Sequence, residues 1–265
     1  MTLKNKRILV TRPCEQAGYL SSLIKNHGGI SVRFPTIEIQ SLERTEELLK
    51  CFDRINEYDF IIFISQNAAK IAIKKFFNNT DLIKNVRLIA IGPSTAKVLS
   101  DSNFNNVIYP YSHSDSEALL DLKELQSEKI HNKKILIIRG VGGRELLVEN
   151  LMTRGAIVNC VEIYKRIIPK YSEHEINKIW QKIPDAIVVT SNDILSNLIV
   201  LLSSYKTGLL SIPLITMSNR ITAHARKIGF NSEICIVDEK NDDGILRSLL
   251  EFFDVDSYLF YSHLI

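Results

Sequence analysis

The sequence has no cysteine pair. Cys14, Cys51, Cys160 and Cys235 are scattered and form no C-x-x-C. This excludes common zinc-cluster and dithiol motifs and predicts reduced thiols in a cytosolic protein. No run reaches the ~18 apolar residues of a membrane span, and the start MTLKNKRILV lacks the apolar core of a secretory signal. A cytoplasmic protein with no membrane partner is expected. Net charge is only +3, and no Lys/Arg run is interleaved with aromatics, so no nucleic-acid partner is expected. His27, His113, His131, His174, His224 and His263 show no ligand-like pairing, so no metal is expected. Neither G-x-x-x-x-G-K-[ST] nor G-x-S-x-G occurs, which excludes a P-loop and a hydrolase elbow at motif level.

What is present is an ordinary globular composition, 45% hydrophobic and 24% charged over 265 residues. The length fits one large domain or two ordinary ones. Buried-strand runs alternate with helical patterns. Residues 7–11 read as a strand and 15–27 as a helix closed by Gly28-Gly29, with a second strand at 30–34. A helix over 44–56 follows, then the strand YDFIIFIS, the helix QNAAKIAIKKFF, the strand VRLIAIG and the helix opening PSTAKVLS. NVIYP reads as a short strand and SDSEALLDLKEL as the start of a capped helix. This order predicts parallel sheets covered by helices on both faces. The tail EFFDVDSYLFYSHLI reads as a packed or flexible terminus.

The second half repeats the first. ILVTRP at 8–13 matches ILIIRG at 135–140. FISQNAAKIAI at 63–73 matches VVTSNDILSNL at 188–198, and LIAIGPSTAKVL at 88–99 matches LITMSNRITAHA at 214–225. Three landmarks in one order, about 126 residues apart, indicate two topologically similar halves. RFPTIEI and CVEIYKR occupy equivalent places and read as extended connectors rather than core strands.

In open α/β sheets, ligands sit beyond the carboxyl ends of the strands, near helix N-termini. The residues just after each apolar run are therefore the candidates. The first half supplies Arg12; Ser65, Gln66 and Asn67; and Gly92, Ser94 and Thr95. The second supplies Arg139, Gly140 and Gly142; Ser191 and Asn192; and Ser218 and Arg220. Hydroxyls, amides and exposed N–H groups at positive helix ends suit carboxylates or phosphates, although N-capping alone would place Ser and Asn there. The stretch ILIIRGVGGREL is not a dinucleotide fingerprint, because Glu145 stands where the last glycine belongs.

Together these segments resemble the uroporphyrinogen-III synthase family. FISQNAAKI, AIGPSTAKVL, SDSEALL, ILIIRGVGGRELLVENLMTRGAIVNCVEIYKR, VVTSNDILSNL and ITMSNRITAHARKIGF carry the likeness, which spans nearly the whole chain. The resemblance implies an α/β fold of two similar parallel-sheet domains joined by a two-stranded linker, with an active-site cleft between them. One domain would combine about 1–36 with 169–265, and the other would be 39–166. The linkers would be about 33–40 and 161–168. It implies cyclisation of hydroxymethylbilane with inversion of the last pyrrole ring, without metal or organic cofactor. It also allows transient hand-over of substrate from the preceding pathway enzyme, and a monomer. Tyr164 stands at the family's tyrosine and is the candidate proton donor or leaving-group orienter; Ser65, Thr95 and Ser191 match positions around the cleft. Ile221 stands where some relatives have threonine, and Arg220 is a substitute contact. The alternatives are a two-domain anion-binding protein without catalysis and a nucleotide-sugar transferase, for which Glu162 is the one candidate nucleotide-binding acid.

Overall fold

Each short β-branched or aliphatic run forms a strand. In chain order the elements are β1 (Arg7–Val10), α1 (Gly18–Asn26), β2 (Ile30–Arg33), β3 (Glu38–Ser41), α2 (Glu46–Asp53), β4 (Phe60–Phe63), α3 (Gln66–Phe76), β5 (Arg87–Ala90), α4 (Pro93–Ser100), α5 (Ser116–Leu120) and α6 (Ser127–Ile130). They continue with β6 (Lys134–Gly140), α7 (Leu146–Thr153), β7 (Ile157–Ile167), α8 (Glu173–Trp180), β8 (Ala186–Val189), α9 (Asn192–Leu201), α10 (Lys206–Leu209), β9 (Leu214–Thr216), α11 (Asn219–Ile228), β10 (Ile234–Ile236) and α12 (Asp242–Ser262). The computed structural model describes residues 2–77, 83–143 and 145–262, without the side chains of Glu47 and of 255–262. The end of the apolar tail, 263–265, lies outside the described residues.

The chain forms two compact units, 1–38 with 167–265 and 39–166. The first holds a five-stranded sheet ordered β10-β9-β8-β1-β2, with every neighbouring pair parallel. Its core gathers Ile8 and Val10 of β1, Leu20 and Ile24 of α1, Val188 of β8, and Ile245 and Leu249 of α12. Phe34 stacks on Tyr171 at 4.5 Å, and the Tyr171 hydroxyl donates to Pro35 O at 2.8 Å. Burial pushes the Tyr171 phenol up to about 12.

The second unit holds a sheet ordered β3-β7-β6-β4-β5. Alternation along β4 builds a core on each face. Ile61 and Phe63 join Leu136, Ile138 and residues of α3 and α4, while Phe60 and Ile62 join Ile135, Ile137 and Leu147 and Leu151 of α7. Burying each such side chain contributes about 1.5–3 kcal/mol.

Four sequence expectations need correction. CVEIYKR is not a free connector: it belongs to β7, paired with β6 from Lys134↔Ile157 to Gly140↔Tyr164. Val161, Ile163 and Tyr164 are buried in the core, and the chain passes from one unit to the other at Arg166–Ile167, near the end of β7. NVIYP makes a single bridge, Ile89↔Ile108, because only Ile108 meets the edge of β5. The first helix starts at Gly18 after a short 3-10 turn at Cys14–Gln16, which follows Pro13. The helix expected over 44–56 runs only from Glu46 to Asp53, entered through the Thr45 cap.

Candidate active site

Strand order locates the ligand-binding end of each sheet. In the first unit the chain leaves β1 toward β2 and, on the other side, β8 toward β9. In the second it leaves β4 toward β5 and β6 toward β7. The switch points are therefore β1/β8 and β4/β6, and ligands favour the carboxyl ends of strands at such points. β1 is the repeat partner of β6, and β8 that of β4, so both switch points fall between the same two repeated strands.

At the β4/β6 switch point three candidates meet. Ser65 caps α3 by accepting from Ala68 N–H at 3.0 Å. Its Oγ also lies 3.0 Å from the Tyr164 hydroxyl, with either atom able to donate. Tyr164 is only 4% exposed. Its ring lies against Gly140, where an added Cβ would fall 2.5 Å from Cζ. A register shift between Arg139 and Gly140 places Tyr164 opposite Gly140, and Val141 N–H donates to Tyr164 O at 2.9 Å. Gln66 is exposed and Asn67 half-buried on the first turn of α3.

The loop after β5 repeats the pattern. Gly92 precedes α4 with extended backbone, Pro93 opens the helix, Ser94 is exposed and Thr95 is buried. Any Cβ on Gly92 would meet Ser114 Oγ at 2.0 Å, so the exposed Ser114 also borders this helix end. Ser114 was not singled out in the sequence. Its only signal is the SHSDSE cluster, which reads as capping.

Arg139 turns elsewhere. Its Nη2 donates to Glu145 at 2.8 Å, and its Nε lies 3.4 Å from Glu162. Burial works against the guanidinium charge, but Glu145, Cys160 and Glu162 outweigh it and the pKa is raised. Among the described residues its buried Nε and Nη1 have no hydrogen-bond partner. Arg139, Cys160 and Glu162 border a cavity of about 1130 Å³ that Ser65 and Tyr164 do not line. A Cβ on Gly143 would meet Arg139 Cδ at 2.9 Å and make that side chain shift, whereas Gly142 takes φ +77° in open space. Arg139 and Gly140 are thus adjacent in sequence but serve different surroundings.

In the first unit, Arg12 at the end of β1 pairs with Asp242 at the start of α12, and both side chains are largely buried. Thr11 Oγ1 donates to Val188 O at 2.5 Å across the switch point. Ser191 caps α9 by accepting from Ile194 N–H at 3.2 Å. Asn192 follows it, and its buried Oδ1 has no hydrogen-bond partner among the described residues. Ser218 precedes α11 without a side-chain cap bond, and Arg220 is exposed. Ile221 occupies the third helical position, as Thr95 does in α4, and is buried.

Among the described residues no cluster of three or more His, Cys, Asp or Glu is placed to hold a metal ion. Nor is any helix among them long and apolar enough to cross a membrane.

A family model described as Uroporphyrinogen-III synthase HemD matches residues 19–246. The chain belongs to the uroporphyrinogen-III synthase family. All candidate residues except Arg12 lie inside the matched stretch. The chain is 34% identical over 248 residues to the uroporphyrinogen-III synthase of Escherichia coli K12, covering 91% of this chain and 99% of that one. The same identity and coverage hold for the uroporphyrinogen-III synthase of Salmonella typhimurium LT2. The solved uroporphyrinogen-III synthetase of Helicobacter pylori 26695 shares the fold, with TM-score 0.61 at 15% identity over 93% of this chain and 99% of that one. The function is uroporphyrinogen-III synthesis in haem and tetrapyrrole biosynthesis. Neither the ligand-binding nor the nucleotide-sugar alternative is favoured.

Proposed function

We propose that the chain is a lyase that closes hydroxymethylbilane, a linear tetrapyrrole, into uroporphyrinogen III with inversion of the last ring. The observation that carries the mechanism is the Tyr164 phenol, held 3.0 Å from Ser65 at the β4/β6 switch point. Loss of the terminal hydroxyl requires a proton donor. Tyr164 donates its proton to that oxygen, the C–O bond breaks, and water departs to leave an azafulvenium cation and the phenolate. The substituted carbon of the last ring then attacks, a spiro intermediate rearranges, and the proton finally lost from a pyrrole carbon restores the phenol.

Most of the work is positioning, since a flexible substrate must present the correct carbon. The N–H groups opening α3, α4, α9 and α11, with Ser65, Gln66, Asn67, Gly92, Ser94, Thr95, Ser191, Asn192, Ser218 and Arg220 beside them, suit its carboxylates. Gly142 leaves the backbone after β6 approachable, while Gly140 admits the ring of Tyr164. Arg12 and Arg139 contribute only where a substrate carboxylate displaces Asp242 or Glu145. Hand-over from the preceding enzyme would shorten the life of the free bilane.

Purified protein fed hydroxymethylbilane is expected to yield the type III isomer. Only the spontaneous type I macrocycle would overturn the reading. Tyr164→Phe is expected to lose most, not all, of the type III rate; unchanged turnover in a folded variant removes Tyr164 from the mechanism.

A further inference from the structure

We infer that Ser65 is a positioning residue for the Tyr164 proton, which its hydroxyl directs outward and whose departure it stabilises. The inference rests on the reading of Tyr164 as proton donor.

Three observations combine. One lone pair of Ser65 Oγ is already committed, because it accepts from Ala68 N–H at 3.0 Å. That N–H belongs to the first turn of α3, an eleven-residue helix, where the helix dipole is positive. Its own hydrogen remains to be donated, and Oγ lies 3.0 Å from the Tyr164 oxygen. The phenol cannot swing away: its ring rests on Gly140, it is almost wholly buried, and Tyr164 O accepts from Val141 N–H.

With Ser65 donating to Tyr164, the phenol hydrogen must point elsewhere and is free for a leaving hydroxyl. When that proton departs, the phenolate keeps the Ser65 hydrogen bond, which becomes charge-assisted and roughly twice as strong. The stabilisation grows as charge develops, so it acts on kcat rather than on substrate binding. Capping alone does not explain the contact. Ser191, the repeat counterpart, caps α9 from Ile194 N–H at 3.2 Å, and among the described residues no phenol bonds it.

The test is a double-mutant cycle on the rate of type III formation, with melting temperature measured for every variant. Ser65→Ala is expected to lower kcat roughly tenfold to a hundredfold, the scale of one charge-assisted hydrogen bond, with little change in KM. In the Tyr164→Phe background the same substitution is expected to cost no further kcat. Ser65→Thr keeps both the hydroxyl and the cap and should restore most of the rate. Ser65→Asp can cap α3 but has no hydroxyl hydrogen when ionised, so it should be stable and slow. Equal losses from Ser65→Ala in both backgrounds would overturn the inference while leaving Tyr164 as donor. A wild-type rate in Ser65→Asp would do the same. A fully active Tyr164→Phe would instead remove the donor role itself, and this inference with it.

Discussion

At the residue scale, Gly140 and Tyr164 are a matched pair. A methyl group on residue 140 would fall 2.5 to 2.9 Å from three ring carbons, and the buried ring has no room to retreat. Gly140→Ala is therefore expected to cost about 1–3 kcal/mol from overpacking and to displace the hydroxyl from Ser65. Urea unfolding and the type III rate should both fall; a variant stable as wild type refutes the close approach. Arg12 and Asp242 form a largely buried ion pair. Removing one partner strands the other, so Asp242→Asn should lower stability by about 3 kcal/mol. Arg12→Gln separates two roles for the guanidinium. A lowered melting temperature with unchanged KM marks a clamp on α12, whereas a raised KM with unchanged melting marks a substrate contact. Glu57 gives a pH signature. It accepts from Arg54 at 2.7 and 2.9 Å and from Lys134 at 3.0 Å, and these bonds, Arg54 first, hold its carboxyl down at about 2. A folded-state value below the unfolded one means stability that is present above about pH 4.5 and lost as pH falls toward 2. The melting-temperature gap between wild type and Glu57→Gln should thus shrink from pH 6 to pH 3. A gap that stays constant would show that the network adds nothing.

At the element scale, the buried strands were plain in the sequence because they lie in the middle of a sheet. Phe60–Phe63 and Ala186–Val189 are buried at every position and read as continuous apolar runs. β7 was not legible in the same way. Its first residues alternate between exposed and half-buried, and only Val161, Ile163 and Tyr164 are buried, so the charged Glu162, Lys165 and Arg166 among and after them read as a connector. The serines after β4 and β8 were visible as strand-end residues, and their cap bonds are local. The bond from Ser65 to Tyr164 spans 99 residues and depends on the register shift beside Gly140; no local pattern encodes it. The partner of Arg12 lies 230 residues away, in a DDG segment whose helix-opening acids look sufficient in themselves. Repetition of elements also exposes divergence. α4 has Thr95 at its third position and α11 has Ile221, and both are buried. Ile221→Thr is expected to cost about 1–3 kcal/mol by burying a hydroxyl. Thermal unfolding measures it, and a neutral result would mean that the hydroxyl finds a partner there.

At the scale of the whole molecule, the repeat boundary and the folding boundary do not coincide. β4 pairs with β6 from the other repeat, and β1 pairs with β8. A fragment of residues 39–166 contains a full sheet and both of its cores, and is expected to unfold cooperatively in urea. A fragment of residues 1–127 keeps a whole repeat but strips β1 and β4 of a neighbour each; it is expected to stay unfolded, and a cooperative transition would refute the exchange. The same exchange sets a timetable for biosynthesis. Ile8 leaves the ribosome long before its register partner Ala186 has been made. At about 5–20 residues per second that delay is roughly 10–40 s. The β1 segment thus waits for its partner β8, while the unit encoded between them finishes first. Until β8 arrives, the β1 segment Arg7–Val10 carries an unpaired edge, a template for association with other nascent chains. The waiting β1 segment, rather than the finished enzyme, is where a chaperone has the most to protect.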